Sequence, residues 1–154
     1  MAEAGNGRDA TGEAPWPAPE ADHFLRFLVT VMDNMDLEVG VTLNVGGLLV
    51  SGLLVGYDKY VEGVVAQLRG TGGDKEANMF VEEIFRRYAE VYNSDVEGDD
   101  PTPQPDMDTI YIHLAEARFF APGSAPLPVE GVWWRGRLSE VQGFMLGTLE
   151  PASS

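Results

Sequence analysis

Two histidines, His23 and His113, are the only side chains of this 154-residue sequence that titrate near neutrality without help. Neither stands in a metal-ligand spacing such as H-x-x-x-H. There is no cysteine, so disulfides, thiolate metal sites and thiol nucleophiles are excluded. Ser139 precedes Glu140, but no base is positioned beside it, and a serine needs one to act as a nucleophile. "GTGGDK" (Gly70 to Lys75) approaches a phosphate loop, yet Lys75 is followed by Glu76 where Ser or Thr is required. "DVEGDD" (Asp95 to Asp100) approaches a calcium loop, yet Glu97 replaces the third ligand and no Glu follows at the required distance. These residues predict no catalytic set, no metal and no cofactor.

Charge narrows the partners. Twenty-five acids face ten bases, a formal net charge of −15. Nucleic-acid binding needs a basic footprint that displaces counterions, and anionic lipid asks for the same. The expectation is no nucleic acid and no membrane. The longest apolar run, "LLVSGLLVG" (Leu48 to Gly56), is far short of the ~20 residues that span a bilayer. The first residues lack the basic start and apolar run of a secretion signal. A cytoplasmic protein is expected.

The elements that must position any site follow from periodicity. Residues 1–19, rich in Ala, Gly, Pro and acid, read as a disordered tail. Glu20 to Asn34 reads as a helix, with Phe24, Phe27, Leu28, Val31, Met32 and Met35 at three- and four-residue steps. "LEVGVTLNV" alternates strictly, Gly46-Gly47 marks a two-residue turn, and "LLVSGLLVG" returns. That register sets Val45 against Leu48, Leu43 against Val50 and Val39 against Leu54. "YDKYVEGVVAQLRG" fits a helix stripe weakened by Gly63. Asp74 can cap a second helix, Lys75 to Tyr92, with the stripe Phe80, Ile84, Tyr88 and Val91. Residues 93–108 hold six acids, no base and three prolines, and read as a mobile acidic loop. Thr109 to Phe120 is a strand and "APGSAPLPVEG" a loop. "VWWRGRLSEVQGFMLG" (Val132 to Gly147) follows as one long bent strand or two short ones. The fold class is α+β: a small antiparallel sheet or barrel with an N-terminal helix and an inserted helical segment. It forms a single domain over 20–150, with a short tail at 151–154.

Two resemblances accompany this reading. "GLLVGYDKYVEG" (Gly52 to Gly63) is similar to the first signature of Sm-like RNA-binding barrels, a Gly-x-Leu step and then aromatic-Asp-x-aromatic. Arg135-Gly136 matches the Arg-Gly of their second signature, but Glu62 stands where those proteins carry the Asn that contacts bases. This implies kinship of barrel shape; an Sm-like barrel binding RNA or a small ligand is the alternative function. The wider resemblance covers about residues 41–149. "VTLNVGGLLVSGLLV", "IYIHLAEARFF" and "WWRGRLSEVQGFMLGTL" resemble the conserved blocks of the GvpU family of gas vesicle accessory proteins. It implies a non-enzymatic cytosolic accessory, associated with gas vesicles and contacting the shell or other gas vesicle proteins. Its role would be assembly or clustering, through protein contacts or as a homo-oligomer. The family carries over no catalytic residues.

On the last block, Trp133, Arg135 and Arg137 share one side of a regular strand, and Trp134, Gly136 and Leu138 the other. Trp and Arg are enriched at binding hot spots, so Trp133, Arg135 and Arg137 are the candidate partner-contact residues. The competing expectation packs Trp133 under a helix and pairs the arginines with Glu140 or Glu116.

Overall fold

The computed structural model describes residues 20–70, 72–94 and 109–150, without the side chains of 91–94. The tails expected over 1–19 and 151–154 lie outside the described residues, as does the acidic stretch from 95 to 108. The first helix, α1, runs His23–Asn34. Asp22 caps it by accepting a hydrogen bond from the Leu25 amide at 2.9 Å, which satisfies one of the orphan donors of the first turn. Strands β1 (Val39–Val45) and β2 (Leu48–Val55) follow. Gly46 and Gly47 take φ of 62° and 83° in the turn between them, the left-handed pair that a tight hairpin needs. Val45 faces Leu48, Leu43 faces Val50 and Val39 faces Leu54, the register read from the alternation.

The helix pair α2 (Tyr57–Gly70) and α3 (Lys75–Ser94) is inserted next. Strands β3 (Tyr111–Phe120) and β4 (Leu127–Arg137) come after it. A three-residue 3-10 turn, Leu138–Glu140, then leads to β5 (Val141–Leu146). β4 starts inside the stretch expected to be loop, because Leu127 and Val132 find partners in Phe119 and Ala117.

All five strands are antiparallel, in the order β4-β3-β2-β1-β5. In a flat sheet at about 4.8 Å per strand the outer two would lie roughly 19 Å apart. Three residues of 3-10 turn advance only about 6 Å. The sheet must therefore curl until its edges approach, the barrel-like closure that the glycine-rich alternation suggested. A bulge helps: Glu116 takes φ 53°, the β3–β4 register shifts there, and Gly131 lies against it. A side chain at Gly131 would come within 2.8 Å of the Glu116 backbone.

The curl gives two apolar layers. Inside, Val41, Leu43, Val50, Leu54, Ile112, Leu114 and Ala117 meet Leu25, Val29 and Met32 of α1. Phe24 and Phe27, part of the expected helix stripe, stay 55% and 40% exposed; the packing face of α1 is rotated toward Leu25 and Val29. Outside, Val55 and Ala115 of the sheet meet Tyr60, Val61 and Val65 of α2, with Phe85 and Ala89 of α3 beyond. Of the α3 stripe, Phe80 and Ile84 are exposed, because the helix turns Phe85 and Ala89 to the protein instead; Tyr88 is half-exposed and lies edge-on to Tyr57, ring centroids 5.8 Å apart, and the Val91 side chain lies outside the described residues.

Candidate functional site

The last strands bring the candidate residues onto the outer layer. Trp133 lies beneath α2, edge-on to Tyr60 with ring centroids 6.4 Å apart. A methyl group at Gly63 would sit inside the Trp133 indole, so the glycine that weakens α2 as a helix is what lets the ring lie against it. Trp134 and Leu138 pack on the opposite, inner face, as strand alternation requires.

Arg135 lies among rings. Its guanidinium carbon is 3.9 Å from the centroid of Tyr111, 5.7 Å from Tyr88 and 5.9 Å from Tyr57. These distances fit cation–π attraction to three rings. Its buried Nε has no hydrogen-bond partner among the described residues. Arg137, at the end of β4, is exposed. Neither arginine forms an ion pair with Glu116 or Glu140 among the described residues. Of the three candidates, Trp133 is therefore a wall of the helix–sheet contact, Arg135 is half-buried between tyrosines, and Arg137 projects into solvent.

Sequence reading did not find the group around them. His113 is 1% exposed. It lies 4.6 Å from Tyr60 and 5.2 Å from Tyr57, centroid to centroid. Neither ring nitrogen has a hydrogen-bond partner among the described residues. Burial, and then the nearby Arg135, push its pKa down to about 3, so the ring is neutral at physiological pH. Burial pushes the Tyr57 hydroxyl up to about 12, against the pull of Arg135, and raises Tyr60 as well. The one available signal was spacing: Tyr57, Tyr60, Tyr88 and Tyr111 are four of the five tyrosines. They come from three elements, so only the fold shows that they converge.

The arrangement packs aromatic rings, a neutral imidazole and a guanidinium together at the helix–sheet contact. A neutral, enclosed imidazole has no route to a substrate proton, and geometry comes first for a general base. His23, the other histidine, is on the surface beside Glu20 at 3.8 Å. Among the described residues no three His, Cys, Asp or Glu side chains converge on a metal position. Ser51 is buried and already engaged, accepting from the Leu149 amide at 2.7 Å and paired with the Thr42 hydroxyl at 3.0 Å.

A cavity of about 710 Å³ opens where α2 meets α3, lined by Leu68 and Met79 with Arg69, Lys75, Glu82 and Arg86. Glu82 bridges Arg69 and Arg86 there at 2.7 and 3.0 Å, and these bonds hold its carboxyl below the usual range. No described helix is long and apolar enough to cross a membrane.

Comparison with curated proteins and with solved structures returns no match. The family comparison does: a family model described as gas vesicle protein GvpU-like matches residues 22–149, from the cap of α1 to the segment after β5. The chain thus belongs to the GvpU-like family of gas vesicle proteins.

Proposed function

We propose that this protein is a non-enzymatic gas vesicle accessory of the cytoplasm that acts through protein–protein contact, in vesicle assembly or clustering. The observation that carries this reading is the exposed apolar face of α3, where Phe80 is 68%, Ile84 50% and Tyr88 46% exposed. Contiguous exposed apolar surface of this kind marks contact sites. Arg137, exposed and on the same side of β4 as Arg135 and Trp133, supplies a second contact point suited to an acidic group on a vesicle protein. The RNA-binding alternative gains no support from the site: Arg135 is engaged by tyrosines, and the chain carries −15.

Flotation tests the reading. Purified gas vesicles mixed with the protein should carry it to the surface layer, and Arg137→Glu should reduce the amount carried. Complete wash-off of the wild-type protein would sink the proposal. Salt provides a second readout. Copies at −15 repel, and 0.15 M salt shortens that repulsion to about 8 Å. Vesicle clustering that depends on self-association should therefore rise with added salt in a turbidity assay. Filter binding to single-stranded RNA should show nothing above background.

A further inference from the structure

The exposed face of α3 combines an apolar stripe with a flanking pair of opposite charges. At 100° per residue, Phe80, Ile84 and Tyr88 lie on one stripe, and Glu83 and Arg87 flank it together on one side. Glu83 and Arg87 already pair within the helix, Nε to Oε1, at 2.8 Å. Both are well exposed, at 55% and 77%. Beyond that flank the helix turns toward α2, where Glu82 is committed to Arg69 and Arg86; the opposite flank packs Phe85 and Ala89 on the protein.

Two features point to what covers this face. The first is charge. Over 75–94 the helix carries three bases, Lys75, Arg86 and Arg87, against four acids, Glu76, Glu82, Glu83 and Glu90. It is nearly neutral in a chain of −15, so it is a place where two like-charged copies can approach. The second is self-complementarity. An acid followed by a base on the same flank matches itself when a second helix lies antiparallel, because a two-fold axis sets like flanks side by side. An axis at the level of residue 85 sets Glu83 level with the partner's Arg87. That level is also the middle of α3, Lys75–Ser94, so the two helices overlap along nearly their whole length. Phe80 then falls within about 3 Å, along the axis, of the partner's Tyr88.

We infer that α3 is an isologous interface, on which a second copy of this chain docks its own α3 antiparallel, with Glu83 and the partner's Arg87 paired across the two-fold. The inference rests on the reading that this protein acts through protein contacts, and it assigns one contact to self-association. Three side chains expose roughly 350 Å² of apolar surface per copy, below the ~800 Å² per partner of a standard interface. The pair is weak and concentration-dependent, with Kd on the order of 100 µM.

Sedimentation velocity on the full-length protein, without vesicles, tests this at 0.15 M salt. The wild type should pass from monomer to dimer as its concentration is raised through the high-micromolar range. Glu83→Arg and Arg87→Glu should each weaken association at least tenfold alone, since each sets like charges together across the axis. Mixed, the two variants should associate within about threefold of the wild type, since unlike charges then face each other. Neither variant keeps its own Glu83–Arg87 pair, so recovery on mixing reports the contact between copies. Ile84→Glu should abolish dimerisation, with thermal melting unchanged to show that the fold is kept. A wild type that stays monomeric at 500 µM, or variants that fail to recover on mixing, would overturn the interface. Flotation keeps the two proposals apart: a monomer that still floats with vesicles removes only the α3 pairing, and a dimer that does not float removes only the vesicle role.

Discussion

Gly63→Ala offers a sharp test of the outer layer, because two effects of opposite sign compete at one position. Replacing an interior helix glycine with alanine gains about 1 kcal/mol from backbone conformational preference. Here the added methyl would meet three atoms of the Trp133 indole, Cε2, Cζ2 and Cδ2. That ring is held between α2 and β4, beside Tyr60, so it cannot swing aside as the end of a lysine would. Overpacking of this kind costs about 3 kcal/mol at the upper end of its usual range. The net expectation is a loss of about 2 kcal/mol, or roughly 4–8 °C in melting temperature for a domain of this size. The assay is urea unfolding followed by far-ultraviolet circular dichroism. It should be repeated in a Trp133→Leu background, itself destabilised by about 3 kcal/mol through the cavity it leaves. With the indole gone, the same Gly63→Ala change should become stabilising by about 1 kcal/mol. The sign reversal, a coupling of about 3 kcal/mol, is the signature. A Gly63→Ala protein as stable as the wild type, or one with the same change in both backgrounds, would refute the packing argument.

Three further outcomes follow from the same layer. His113 has a folded pKa near 3, below its ordinary value of 6.5, so the unfolded chain binds this proton first and stability falls as pH drops from about 6.5 toward 3, by up to about 1.4 kcal/mol per pH unit; His113→Phe should flatten that slope in urea titrations between pH 7 and 4.5. Arg135→Met keeps the aliphatic stem but loses the stack on Tyr111, and should cost about 1 kcal/mol in chemical unfolding, with Arg135→Lys recovering only part of it. Ser51→Ala leaves the Leu149 amide without its partner and the Thr42 hydroxyl with its bond to Gly147 alone, and should cost about 1–3 kcal/mol while hydrogen exchange at Leu149 accelerates.

Local signals were legible where one residue type answers one local demand. The Gly46-Gly47 turn, the facing pairs of β1 and β2, and the cap at Asp74, whose Oδ1 accepts from the Glu76 amide at 2.9 Å, follow from chemistry within four residues. The side on which Trp133 and Arg135 lie follows from strand alternation. What Arg135 meets does not: Tyr57, Tyr88 and Tyr111 arrive from α2, α3 and β3, and no periodicity links them. Helix stripes misled for a physical reason. α1 and α3 each carry more apolar residues than one face can bury, so periodicity located the helices but not the rotation that chose Leu25 over Phe24, or Phe85 over Ile84. Gly63 read as a weakness of α2, because the ring that requires it stands on a strand some 70 residues further on.

The order of the strands sets how this protein reaches its fold. The Thr42 hydroxyl bonds the Gly147 carbonyl across 105 positions, and β5 pairs with β1 across a similar span. Such distant pairings slow folding, because a long loop must close before the contacts it brings can repay it. They weaken the finished structure little: closing a loop of about 100 residues costs only about 2 kcal/mol more than closing one of about 10. Until β5 arrives, β1 presents a free edge to solvent, and free edges recruit other chains. The vulnerable interval of this molecule is therefore kinetic. It lies between the closing of the first hairpin and the seating of the last strand, when a crowded solution can supply a substitute for β5.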